Sequence, residues 1–186
     1  MKGTPIYRDG VLPDLYSQTR KERKIETVFC GDDLNMDQFV AFFETRKTLQ
    51  VLCSVEDDKT LKLRGYCWVD HPKGVDGARS AICGFCFFNN NAKDSSARDL
   101  AKLGLAYWFQ DLKIDVIHGI QLESNIPARN FAARLGFEDC GVVPKYHYDC
   151  RVGELVGARV MVCRAAEFMP KFDEWMAEQK PVANGG

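Results

Sequence analysis

The sequence predicts one α/β domain built on a mixed, mostly antiparallel sheet with a parallel βαβ unit at its centre. Residues 49–88 hold three strand-like apolar runs separated by turns, the pattern of an antiparallel meander. Residues 96–164 then alternate helix, strand, helix and two strands, which needs crossover connections. The length agrees: 186 residues, 46% hydrophobic and 27% charged, bury one continuous core and are composed like a globular chain.

Each element has its own signal. A short helix is expected over 13–24, and its basic run Arg20-Lys21-Glu22-Arg23-Lys24 reads as a solvated helix or turn face. Asn35 or Asp37 caps a second helix, with Phe39, Val40, Phe42 and Phe43 as its apolar stripe. Strands are expected over 49–55, 61–69 and 79–88. A polar loop over 89–94 opens a helix over 96–111, where Leu100, Leu103, Tyr107 and Trp108 recur at helical spacing. A strand over 115–122 follows, parallel to 79–88 because a helix joins them. The next helix, 126–135, is capped by Ser124 or Asn125, carries Pro127 in its first turn and stops at Gly136 in the left-handed conformation. Strands over 138–148 and 155–164 and a helix over 168–178, packing Phe172, Trp175 and Met176, complete residues 1–180 as a single domain. Residues 181–186 read as a disordered tail.

Several function classes are disfavoured. A net charge of −1 lacks the basic face of a nucleic-acid binder. The first residues, Met1-Lys2-Gly3-Thr4-Pro5, lack the apolar stretch of a signal peptide, and no apolar run approaches the roughly 18 residues that span a bilayer. A cytoplasmic protein without membrane or nucleic-acid partners is expected. The eight cysteines sit mostly in apolar runs and are read as reduced. Cys83 and Cys86 spell CxxC, but on a strand they point to opposite faces about 10 Å apart. No second pair stands at zinc-site spacing, so no metal is expected.

Two segments offer chemistry. After the strand ending near Phe88, the small residues Ser95, Ser96 and Ala97 open a helix whose first N–H groups have no intrahelical partner. Lys93 and Arg98 add positive charge, and together these make a cradle for an anion such as a pyrophosphate. The second segment runs from Glu123 to Phe137: a strand end, a capped short helix, a glycine stop and an apolar strand start.

The run Asn125…Ala128…Phe131…Leu135-Gly136-Phe137 resembles the signature of the GNAT acetyltransferase superfamily. Residues 84–144 are similar to bacterial and phage members near the branch that acetylates ribosomal-protein N-termini. The resemblance implies the GNAT fold, with acetyl-CoA held where two strands of the sheet splay apart. It implies main-chain pairing of the pantetheine arm near Cys86, Phe87 and Phe88, and pyrophosphate binding by Lys93, Ser95, Ser96, Ala97 and Arg98. Asn125 would hydrogen-bond the donor, with Arg129 one helical turn on. Two positions depart from the family pattern: the phosphate loop has lost both glycines, and Ala132 stands where many members place an acidic tyrosine.

The implied reaction is direct attack of an amine on the acetyl thioester. Glu123, at the strand end beside Asn125, is the candidate base, acting through a water, and Tyr146 on a late strand is the candidate replacement acid. His118 lies an odd number of residues from Glu123 and so on the opposite strand face. The acceptor is an amine-bearing protein (an N-terminus or lysine) or a small amine, and a homodimer is compatible with the fold. Two other readings stand beside this one. In one the chain is a GNAT-fold protein without catalysis that works through protein contacts; in the other it is a thiol redox protein resting on Cys83 and Cys86.

Overall fold

The computed structural model describes residues 11–29, 32–44, 48–56, 60–70, 72–75, 77–88 and 95–179. In chain order the elements are α1 (Val11–Lys21), α2 (Ile25–Val28), α3 (Met36–Glu44), β1 (Gln50–Glu56), β2 (Thr60–Val69) and β3 (Ser80–Phe87). After these come α4 (Ser95–Gln110), β4 (Val116–Leu122), α5 (Ile126–Arg134), β5 (Glu138–Asp149), β6 (Glu154–Arg164) and α6 (Ala165–Glu178). The six strands form one sheet in the order β1-β2-β3-β4-β6-β5. Only β3 and β4 pair in parallel; every other neighbouring pair is antiparallel. The expected mixed sheet with its parallel βαβ unit is present. The second crossover, through α5, does not return to β4's side: β6 comes back between β4 and β5 and occupies that position.

Strand alternation builds two cores, one on each face. Tyr66, Trp68, Cys86 and Phe88 point to the face covered by α1, α2 and α3, where they pack with Leu15, Ile25, Phe39 and Phe43. Cys67, Val69, Ala81 and Phe87 point the other way, onto Ala101, Leu105 and Trp108 of α4 and Phe168 and Phe172 of α6. Trp108, Phe39 and Phe43 are fully buried, each contributing roughly 1.5–3 kcal/mol. Cys83 and Cys86 obey the same alternation and face different cores. No disulfide joins the cysteines among the described residues.

Caps settle what the sequence left open. Asn35, not Asp37, caps α3: its Oδ1 accepts from the Gln38 N–H at 2.9 Å while Gln38 Oε1 accepts from the Asn35 N–H at 2.9 Å, a reciprocal capping box. Asn125, not Ser124, caps α5 by accepting from the Ala128 N–H at 3.2 Å. Gly136 ends that helix at φ +96°. Two elements differ from expectation. The one-turn helix α2 was not foreseen, being too short to show a period. The last helix starts at Ala165 rather than 168, directly off β6, because the Ala165 N–H is satisfied across the sheet by the Asp115 carbonyl and needs no capping residue.

Gly65 marks the closest approach of β2 to β3. A Cβ there would lie 2.1 Å from the Cys86 carbonyl oxygen and 2.9 Å from Phe87 Cα. Gly65→Ala is therefore expected to push the two strands apart and cost about 3 kcal/mol. Chemical denaturation checks this, an unchanged midpoint meaning that β2 moves aside at no cost.

Candidate functional site

β3 and β4 begin as paired strands and then part. The ladder runs Ser80↔Val116, Ala81↔Ile117, Ile82↔His118 and Cys83↔Gly119, and stops there. Beyond that point β3 continues to Phe87 in its ladder with β2, and β4 continues to Leu122 in its ladder with β6. Between them lies a wedge where the two strands no longer pair with each other. Two bonds show which β3 groups face it. The Asp70 N–H binds the Ile82 carbonyl at 2.8 Å and the Phe88 N–H binds the Arg64 carbonyl at 2.8 Å, so even-numbered residues spend their main-chain groups on β2. By alternation Phe85 and Phe87 aim theirs into the wedge. Of the three positions expected to pair a ligand, Cys86 and Phe88 thus face β2 through their main chains and Phe87 faces the opening. Phe85 is the second group there, one that the sequence reading did not name.

Aromatic rings close the α4 side of the wedge. Phe85 and Phe87 stack at 6.2 Å, and Phe131 of α5 lies 5.1 Å from Phe87 and 6.3 Å from Phe85. α4 begins at Ser95, after β3 has ended at Phe87 at the wide end of the wedge. Ala97 is fully buried and anchors this first turn in the core, whereas Arg98 is exposed. Lys93 lies outside the described residues.

Across the wedge, β4 ends at the α5 cap. Asn125 uses its side-chain oxygen on the Ala128 N–H, which leaves its NH2 as the group able to donate to a ligand. Arg129 follows one turn later. The Gly141 N–H bonded to Asp139, then Arg159 and the charge of Arg129, hold the Asp139 carboxyl below the usual carboxylate range. Glu123 bonds through its N–H to the Gly157 carbonyl of β6 at 2.9 Å, and its carboxylate lies over Gly157, 2.7 Å from where a Cβ would stand. Gly157 is thus the room in which the Glu123 side chain sits. His118 falls on the other face, as alternation requires.

Tyr146 belongs to an irregular stretch of β5. Register slips between Val143 and His147, Lys145 is left-handed at φ +49°, and Tyr146 is 46% exposed. Val143, Tyr148 and Leu155 are exposed on the same hairpin, giving it an apolar surface. Its tip is fixed by Asp149, which accepts from Arg151 Nε at 2.9 Å, Nη2 at 2.6 Å and the Arg151 N–H at 3.0 Å. Arg151 also reaches Thr27 at 3.4 Å, and His147 Nε2 stands 3.4 Å from Asp32. The hairpin is thereby tied to the segment around α2. No contact joins Tyr146 to Glu123 among the described residues.

The basic run at the end of α1 differs from its sequence reading. Lys24 is half-buried, 2.5 Å from Glu22, and donates to the Phe87 carbonyl in the wedge. Composition gave no hint of this, since the run looks like any solvated turn. Ala132, at the expected tyrosine position, presents no acid, and among the described residues no cluster suits a metal ion.

No protein-family model and no curated protein matches the sequence. Solved structures do match. A spermidine N-acetyltransferase from Vibrio cholerae, solved with CoA and spermine, aligns at a TM-score of 0.69 and 16% identity over 88% of this chain and 95% of its own. RimJ from Mycobacterium smegmatis, solved with CoA-disulfide, aligns at 0.67 and 16% over 94% and 87%. The ribosomal-protein-S5-alanine acetyltransferase from Vibrio fischeri aligns at 0.65 and 11% over 88% and 92%. The chain has the GNAT fold.

The hairpin tip gives a pH prediction. Hydrogen bonding from Arg151 holds the Asp149 carboxyl below its ordinary range despite burial. A depressed folded-state pKa contributes stability above the unfolded value and loses it as pH falls through the folded one. The stability difference between the native chain and Asp149→Asn should be full at neutral pH and shrink below about pH 4. Denaturation midpoints measured across that range provide the check, and a pH-independent difference would contradict it.

Proposed function

We propose that the chain is an acetyl-CoA-dependent N-acetyltransferase that passes an acetyl group to a primary amine. The observation that carries this reading is the wedge between β3 and β4, where the parallel ladder ends after Cys83 and Gly119, with α4 beginning after β3 and the Asn125 cap following β4. These residues fit an extended amide-bearing arm ending in a pyrophosphate. The main-chain groups of Phe85 and Phe87 extend the sheet to it, as an added strand would. Ser95, Ser96 and Ala97 form the first turn of α4, whose N-terminus attracts the phosphates, with Arg98 and Lys93 supplying charge. The Asn125 NH2 donates from the far side, and Arg129 reaches from the next turn.

When bound, the thioester supplies an activated acetyl carbonyl. A main-chain N–H on the splayed edge serves as its oxyanion donor. Glu123 takes the amine proton through a water, and Tyr146, on the hairpin that lines the acceptor side, returns a proton to the leaving sulfur. The acceptor is a protein N-terminus or lysine, or a small amine. The names of the structural neighbours, ribosomal-protein alanine and spermidine acetyltransferases, support an amine of either kind. A second reading, a GNAT-fold protein that binds partners without catalysis, is favoured by Ala132 and by the phosphate loop without glycines.

Calorimetry with CoA should give micromolar binding, and free thiol should appear when acetyl-CoA and amines are supplied together. Asn125→Asp keeps the helix cap but replaces the NH2 donor, so it should weaken CoA binding about tenfold with stability within about 0.5 kcal/mol of the native chain. Binding without thiol release over a panel of amines and peptides would favour the non-catalytic reading. Absence of CoA binding below millimolar would end both.

A further inference from the structure

The turn that closes α1 carries Glu22 and Lys24, which have no part in the reaction just described. It is a Schellman turn: the Lys24 N–H binds the Thr19 carbonyl at 3.0 Å and the Arg23 N–H binds the Arg20 carbonyl at 2.9 Å. Arg23 takes the left-handed position at φ +54°, where glycine is the common occupant. The turn folds Glu22 and Lys24 back against the sheet. Their side chains are only 14% and 25% exposed, and Glu22 Oε2 lies 2.5 Å from Lys24 Nζ. That same ammonium donates to the Phe87 carbonyl, beyond the point where β3 parts from β4.

An amine is therefore held between a carboxylate and the strand edge along which an acyl donor would lie. It arrives from the α1 face, across the sheet from the Phe131 floor. The nearby Cys86 does not compete as a nucleophile: burial pushes its thiol up to about 12, which keeps it protonated. Resting on the acetyl-CoA reading above, we propose that Lys24 is a modification site of the chain itself, its ε-amine accepting an acetyl group in cis from acetyl-CoA bound along β3.

Glu22 takes one proton from the Lys24 ammonium and leaves a neutral amine. The nitrogen lone pair forms the new bond to the acetyl carbonyl carbon, and the carbon–sulfur bond breaks with its electrons on sulfur. The second amine proton passes to that sulfur. One ammonium and one acetyl-CoA become acetyl-lysine, free CoA thiol and one proton, which Glu22 releases to water. The product has lost its charge, and with it the ion pair to Glu22.

The test incubates the full chain with acetyl-CoA and no added amine, and maps acetylated peptides over time at several protein concentrations. Lys24 should be acetylated about tenfold faster than the exposed Lys21 of the same turn, at a first-order rate independent of protein concentration. Glu22→Gln should slow it about tenfold. In parallel, CoA, which has no acetyl to transfer, should shield Lys24 but not Lys21 from reductive methylation. Equal rates at the two lysines, a rate rising with protein concentration, or no effect of Glu22→Gln overturns the proposal. If CoA binds and shields Lys24 but the residue stays unacetylated, this inference alone falls. If calorimetry shows no CoA binding, the acetyltransferase reading falls with it.

Discussion

The parting of β3 and β4 after Cys83 and Gly119 is the constraint around which the rest of the molecule is arranged. A parallel pair interrupted in mid-sheet takes main-chain donors and acceptors out of the ladder, and such groups are costly unless something else binds them. The outer strands keep the wedge open: β2 holds β3 and β6 holds β4, each through an uninterrupted antiparallel ladder. Gly65 lets β2 approach β3 closely, and Phe131 fills the space below the opening so that the helix face does not collapse into it.

The same arrangement concentrates functional groups at one end of the sheet. Both strands that part also end there. α4 therefore starts, α5 is capped, and the β5–β6 hairpin turns within the same region. Helix N-termini, a donor amide, a carboxylate over a glycine and an apolar hairpin surface gather without any of them being adjacent in sequence. The contacts from Arg151 to Thr27 and from His147 to Asp32 join the hairpin to the α2 segment, so that side of the molecule is walled by residues more than a hundred positions apart.

The turn after α1 shows how one local conformation changes the meaning of a charged run. In a straight helix Glu22 and Lys24 would diverge, since residues two apart do not share a face. The left-handed Arg23 brings them together and sends the ammonium to Phe87. A lysine that reads as solvent-facing thereby donates to the main chain of β3.

Element order, the parallel unit and most boundaries were legible in the sequence, because they follow from local periodicity, turn residues and caps that act within a few positions. Asn125, Gly136 and the strand over Glu138–Asp149 are of this kind: their chemistry fixes their conformation wherever they occur. The GNAT resemblance likewise rested on a contiguous run. What the sequence left undecided were relations between distant segments: β6 entering between β4 and β5, Phe85 rather than Cys86 facing the opening, and Lys24 reaching Phe87. Register and strand order depend on which edges remain to be paired once the two cores have closed. That is a property of the assembled sheet, and no short window of residues contains it.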